Sequence, residues 1–209
     1  MFTLYGYPKT RSTRVLWALE EVQAKVDFVL TSPGVEAKSD AYLALNPTGK
    51  IPCFVHDDLV LSESAAICIY IGDQFPEYHL TPAPGSADRA THDSWCYFAM
   101  TEMEQALWTM AKHTFALPKE YRIPKMRETA EYEFQRALKV FHKKLGEKEF
   151  LIGSHFTIAD LLVTNILNWR HNGKVERPLK YENVEAYFER HRSRPALQRV
   201  ADKEANMLD

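Results

Sequence analysis

The chain has 209 residues, 45% of them hydrophobic, with 26 basic side chains against 28 acidic ones and a formal net charge of −2. That composition supports one large or two small cores and leaves no basic footprint for nucleic acid. No apolar run approaches the roughly 18 residues a membrane span requires, and Met1-Phe2-Thr3-Leu4-Tyr5 lacks the basic start and apolar run of a secretory signal.

In chain order, residues 2–5 read as a short strand ending at Gly6, with Pro8 marking a loop. Residues 13–22 carry Val15, Leu16, Leu19 and Val22 on one stripe and predict a helix. Residues 26–30 predict a second strand, and residues 37–45 a short irregular helix that stops before Asn46-Pro47. Two further strands, 51–55 and 59–61, flank a hairpin turn at His56-Asp57-Asp58, and a helix of small and apolar residues follows over 64–75. Pro76, Pro82, Pro84 and Gly85 mark a linker. Beyond it the chain reads as helical, with amphipathic patterns over 87–115 and 122–145 and a Lys/Glu run that reads as a solvated face.

Phe156-Thr157-Ile158-Ala159-Asp160-Leu161 is the clearest helix start: Thr157 suits an N-cap, Asp160 can return the bond, and Phe156 can staple against Leu161. Its role is structural. Pro195 suits the first turn of a closing helix. Cys53, Cys68 and Cys96 include no C-x-x-C, which suits buried free thiols in a reducing cytoplasm. The eight histidines form no H-x-x-x-H or Cys/His cluster, so no metal site is expected.

The most specific signature is Asn46-Pro47-Thr48-Gly49-Lys50-Ile51-Pro52 with Ser62-Glu63-Ser64 ten residues later. Pro52 cannot donate to a ladder and belongs at a strand's first residue, a good place for a cis bond. Such a bond would turn the backbone groups of Ile51 outward, towards an extended peptide. Glu63-Ser64 opens a helix whose orphan N–H groups and dipole suit a carboxylate. A strand edge beside an anion-binding helix start is a site for a small acidic peptide, and points to glutathione.

These segments, with Leu4-Tyr5-Gly6, Arg14-Val15-Leu16-Trp17-Ala18-Leu19-Glu20-Glu21, Glu63-Ser64-Ala65-Ala66-Ile67 and Arg194-Pro195-Ala196, resemble the cytosolic glutathione transferase family over essentially the whole chain. The likeness is to bacterial-type members with a serine/threonine-type N-terminal site. It implies an α+β, thioredoxin-like N-terminal domain (mixed sheet with helices) over 1–78 and a linker over 79–86. An all-α domain over 87–209 would then form the hydrophobic-substrate pocket. It also implies a cytoplasmic homodimer that uses glutathione as cosubstrate, without metal, nucleic acid or membrane.

The chemistry asks for a thiolate near neutral pH, so a donor at the sulfur is needed. A hydroxyl at the start of the first helix would donate while the helix N-terminus adds positive potential. Aligning Tyr5-Gly6 and Arg14-Val15 with serine-type members puts Thr10 at the usual serine position. The loop is about a residue short of several classes, so Ser12 is the second candidate, and Tyr5, Tyr7 and Thr13 remain as further hydroxyls. Neither the serine nor the cysteine of better-known classes stands at position 10.

The resemblance implies that Ile51 pairs its backbone with the cysteinyl unit, with Pro52 fixing the geometry. Glu63 would take the γ-glutamyl ammonium and Ser64 its carboxylate, while Lys38, Lys50 and, more weakly, Arg11 would reach the glycyl carboxylate. A second-substrate pocket between the domains would be walled by Tyr7, Trp108 and Phe115, with Trp169 a further aromatic. The expected function is transfer of glutathione to a hydrophobic electrophile. The alternatives are a glutathione-dependent peroxidase or disulfide reductase on the same fold, and a noncatalytic interaction module.

Overall fold

The computed structural model describes residues 1–172 and 180–207; residues 173–179 and 208–209, which fall in the expected helical half, lie outside the described residues. The chain divides into two compact units, 1–81 with 193–209, and 82–192.

In the first unit β1 (Phe2–Gly6) is the central strand. It pairs in parallel with β2 (Val26–Leu30), Phe2 opposite Val26, and antiparallel with β3 (Cys53–His56), Tyr5 opposite Cys53. β4 (Leu59–Leu61) completes the order β2-β1-β3-β4. The parallel pair requires a crossover, which α1 (Ser12–Glu21) supplies. β3 and β4 need only the turn at Asp57, whose φ is 52°.

Side chains alternate across the sheet and define two layers. Leu4 and Phe54 face one another in register and are fully buried, and Phe54 meets Tyr70 of α3 (Ser64–Gln74) at a ring separation of 6.4 Å. Val15, Leu16 and Leu19 of α1 and Ile67 and Ile71 of α3 fill this layer, each contributing about 1.5–3 kcal/mol of burial. On the other face Tyr5 and Cys53 join Ala37, Tyr42, Leu45 and Ile51 in a smaller cluster.

The expected strand over 51–55 begins at Cys53 instead, and Ile51-Pro52 is a cis peptide outside the ladder. Proline has no N–H to contribute there. The expected helix over 37–45 is two pieces: a 3₁₀ turn at Glu36–Lys38, then α2 (Asp40–Leu45). The break is at Ser39, whose extended backbone lets its hydroxyl accept from the Tyr42 N–H at 3.3 Å and cap α2.

The helix that closes the chain, α9 (Pro195–Asn206), starts with Pro195 in its first turn as expected. It packs on α1, within the first unit, whereas the sequence reading assigned 87–209 as a whole to the helical domain. Two features of α9 explain its attachment. Ala196 and Val200 are buried, and Arg194 grips Glu21 with bonds of 2.7 and 2.8 Å.

In the second unit the pattern over 87–115 becomes α4 (Ala87–Phe98), a π-helical turn at Ala99–Glu104, α5 (Gln105–Ala111) and a second π turn at Lys112–Ala116. The expected 122–145 helix starts at Met126, after Pro124, and runs to Leu145 as α6. α7 (Ile158–Asn172) and α8 (Glu182–Arg192) complete the unit around Phe134, Phe141, Ile158, Leu162, Tyr187 and Phe188.

The capping pair ahead of α7 is a buried hub. Asp160 accepts from the Thr157 N–H at 2.9 Å, the Thr157 hydroxyl at 2.8 Å, the Leu151 N–H at 2.9 Å and the Tyr187 hydroxyl at 2.9 Å. Burial and the neighbouring Asp160 carboxylate push the Tyr187 phenol well above its ordinary pKa.

Candidate active site

Three segments meet at one edge of the first unit. Antiparallel pairing of β1 with β3 puts the end of β1 beside the start of β3, so the Gly6-Tyr7 turn neighbours Ile51-Pro52. The first turn of α1 is tied to the start of α3 by Arg14, whose Nη1 donates to Ser64 Oγ at 3.3 Å. Arg14 is fully buried. The sequence reading gave it no site role, although a charged residue inside the apolar stripe of α1 was the available signal.

The turn before α1 is closed by hydroxyls. Thr10 Oγ1 donates to the Tyr7 carbonyl at 2.6 Å and accepts from the Ser12 N–H at 3.2 Å. Ser12 Oγ accepts from the Tyr7 N–H at 3.2 Å and lies 3.1 Å from Thr10 Oγ1. Because a hydroxyl has one proton, and that of Thr10 is committed to the shorter bond, we assign the Ser12 O–H as donor to Thr10. Ser12 is fully buried and Thr10 half-buried. Gly6 makes the ring possible, since a Cβ there would stand 2.6 Å from both Cβ and Oγ of Ser12.

The 46–52 turn is held by its own side chains. Asn46 Oδ1 accepts from the Thr48 N–H at 3.2 Å and from its hydroxyl at 2.8 Å. The Lys50 carbonyl accepts from the Tyr42 hydroxyl at 2.6 Å and from Asn46 Nδ2 at 2.8 Å. Burial, and then the nearby Cys53, push the Tyr42 phenol to about 12, so it stays a donor. Lys38 donates to the Gly49 carbonyl at 2.9 Å, which brings it beside Lys50. Gly49 has φ +59°, and a Cβ there would meet Lys38 Nζ at 2.6 Å. Tyr42 and Asn46 were not predicted as contributors; their role is to aim the turn.

Glu63 is the residue before α3 and is exposed, with φ 68° and ψ 100°. A non-glycine residue in that region costs of order 1–3 kcal/mol, and such costs gather at ligand sites. Ser64 is buried at the helix start, with its hydroxyl turned to Arg14.

The other predicted residues are placed as follows. Arg11 is half-buried at the N-cap of α1, and Tyr7 is half-buried in the turn. Tyr5 points into the Tyr42 cluster, on the sheet face opposite Gly6 and Ser12, so it does not join the hydroxyl ring. In the second unit Trp108 is half-buried in α5 and Trp169 half-buried in α7, while Phe115 in the second π turn is exposed. The three cysteines are buried and free. Burial raises the Cys53 thiol and takes that of Cys68 to about 12, so neither is poised as a nucleophile. Among the described residues no group of three or more His, Cys, Asp or Glu could hold a metal ion, and no helix is long and apolar enough to cross a membrane.

Two family models match: the glutathione S-transferase N-terminal domain over residues 1–73 and the glutathione S-transferase C-terminal domain over 104–195. The chain belongs to the glutathione S-transferase family of enzymes. Among curated glutathione S-transferases, GstA of Escherichia coli O157:H7 is 27% identical over 177 residues, covering 82% of this chain and 84% of its own. Among solved structures, a glutathione transferase of Methylococcus capsulatus superposes with a TM-score of 0.87 at 26% identity, covering 98% of this chain and 99% of its own. A sphingomonad glutathione S-transferase complexed with glutathione superposes with a TM-score of 0.85 at 28% identity, covering 97% and 98%. The sheet order and the helical unit described above are therefore those of a glutathione S-transferase fold, a thioredoxin-like sheet followed by helices.

Proposed function

We propose that this enzyme binds glutathione at the edge formed by residues 7–12, 46–52 and 63–64 and ionises its thiol for attack on a hydrophobic electrophile. The donor set suits the tripeptide. The start of α3 with Ser64 offers donors for the γ-glutamyl carboxylate, and Glu63 a partner for its ammonium. Lys38, Lys50 and Arg11 offer positive charge for the glycyl carboxylate, and the Ile51 backbone meets the cysteinyl unit, with Pro52 behind it.

The observation that carries thiol activation is the hydroxyl ring at the start of α1. Ser12 is sealed beneath the turn, whereas Thr10 is the partly exposed member. With Ser12 donating to its oxygen, Thr10 can turn its own proton from the Tyr7 carbonyl to a sulfur. That donation and the helix N-terminus stabilise the thiolate. The thiol proton leaves to solvent, and the sulfur pair forms the new bond to carbon. A leaving group departs with its electrons, or the adduct takes up a proton.

The test is an ultraviolet difference titration of thiolate absorbance with bound glutathione across pH. A bound thiol pKa well below the free value of about 8.5 is expected. Thr10→Ala should raise that pKa and cost about tenfold or more in turnover while leaving glutathione affinity within about twofold. If Thr10→Ala changes nothing while Ser12→Ala removes activity, Ser12 is the donor. Glutathione binding without a lowered pKa would point to a noncatalytic member. Parallel assays with an aryl halide and an organic hydroperoxide separate transfer from peroxidase activity. Trp108→Ala and Phe115→Ala should raise KM for the electrophile and spare that for glutathione.

A further inference from the structure

At the start of α1 the local help is the Thr10 hydroxyl, which accepts from the Ser12 N–H; Arg11 offers no side-chain cap, and no acidic residue stands in the first turn. The missing carboxylate comes from the far end of the chain. Glu204 on α9 is 5% exposed, and its Oε1 accepts from the Thr13 hydroxyl at 2.6 Å. The Thr13 N–H in turn donates to the Thr10 carbonyl at 3.2 Å, and the Lys9 backbone and ammonium act on the same carboxylate to lower its pKa. Glu204 thus holds Thr13, the residue immediately after Ser12, and faces Lys9, the residue immediately before Thr10. Lys9 has φ 59°, a conformation that an L-residue keeps only when its surroundings impose it.

Glu204 is held in turn. Farther along the same two helices, Arg194 pairs with Glu21 at 2.7 Å, and Glu20 takes Arg199 at 2.7 Å and Lys203. These contacts fix α9 along α1, so Glu204 reaches the turn from a braced helix.

We infer that Glu204 is a positioning residue for thiol activation: by gripping Thr13 beside Lys9 it sets the 9–13 turn in which the Thr10 hydroxyl is presented to the sulfur. The inference rests on the thiol-activation reading above. Glu204 meets neither Thr10 nor the thiol, so it acts through the backbone and Thr13. Burial raises the Glu204 carboxyl pKa, against the lowering effects of the Thr13 bond and the nearby Lys9 backbone and ammonium.

The same thiolate titration, run on wild type, Glu204→Ala, Glu204→Gln and Glu204→Asp, tests it. Glu204→Ala should raise the bound thiol pKa and lower kcat about tenfold, with KM for glutathione within about twofold, because Glu63, Ser64 and Ile51 are untouched. Glu204→Gln keeps an oxygen that accepts from the Thr13 hydroxyl, and should restore the wild-type thiol pKa. Amide exchange at residues 9–13 should be faster in the alanine variant and near wild type in the glutamine variant. If the alanine variant fails to fold, Glu204→Asp, one methylene short of the Thr13 hydroxyl, carries the test and should show the raised thiol pKa. A wild-type thiol pKa in a folded Glu204→Ala or Glu204→Asp protein overturns the inference. A wild type with no lowered thiol pKa overturns instead the reading on which it rests.

Discussion

The chain starts two of its helices with a hydroxyl and a carboxylate, and the two starts are built in opposite ways. At α7 the carboxylate is local, three residues from its partner, and Asp160 accepts four bonds inside a sealed site. At α1 the carboxylate lies 191 residues away, and the hydroxyl ring it braces leaves Thr10 partly open to solvent. A helix start whose donors and acceptors are all consumed by the protein stabilises the fold. One that is braced from behind, with a hydroxyl at its rim, can serve a ligand. The contrast teaches that the same residue types carry stability or chemistry according to where their partners come from.

Asp160→Ala should give the largest loss of stability, about 4 kcal/mol, because it leaves the Leu151 and Thr157 N–H groups buried without their acceptor. Urea denaturation followed by circular dichroism measures it, and a loss under about 1 kcal/mol would remove the distinction between the two starts. Gly6→Ala comes next: the new Cβ would collide with Ser12, costing about 1–3 kcal/mol and raising the bound thiol pKa through the disturbed ring. Adding Ser12→Gly in the same chain removes the collision and should recover part of the stability but not the thiol activation.

The pH dependence of stability sharpens the comparison further. Glu204 has a raised folded pKa, chiefly from burial, so its favourable contribution is complete below the unfolded value near 4.5 and fades as pH rises through the folded value. Glu204→Gln removes that dependence, and its stability measured between pH 4 and 7 should fall less with rising pH than that of wild type. A parallel slope in the two proteins would mean that the carboxyl is unperturbed. Arg199→Ala should have the smallest effect, about 0.5 kcal/mol, since its pairing with Glu20 is half-exposed and screened. Thermal melts at low and high salt measure it, and a loss above about 2 kcal/mol would mean that α9 depends on this pair alone.

Local signals were legible in the sequence. The strand over 26–30 was bounded correctly, as was the 59–61 strand, because alternation and flanking turn residues lie within a few positions. The 157–160 cap was legible because helical geometry brings residues three apart together. Ile51-Pro52 and Glu63-Ser64 stood out because proline chemistry and helix starts leave marks in residue order. Arg14 was in view but unread, since its partner Ser64 lies 50 residues away. The π turns that interrupt the 87–115 pattern also escaped, because they shift that pattern without erasing it.

By itself, then, the sequence determined the succession of strands and helices, the family and the distinctive residue types at Ile51-Pro52 and Glu63-Ser64, all of which depend on short-range pattern. Only the tertiary structure decided which hydroxyl sits at the rim and which beneath it, that Tyr5 faces away, that α9 belongs with the sheet, and that Glu204 supplies the acid α1 lacks. These depend on groups far apart in the chain, and their meeting is fixed by the packing of helices on the sheet, to which no local periodicity refers.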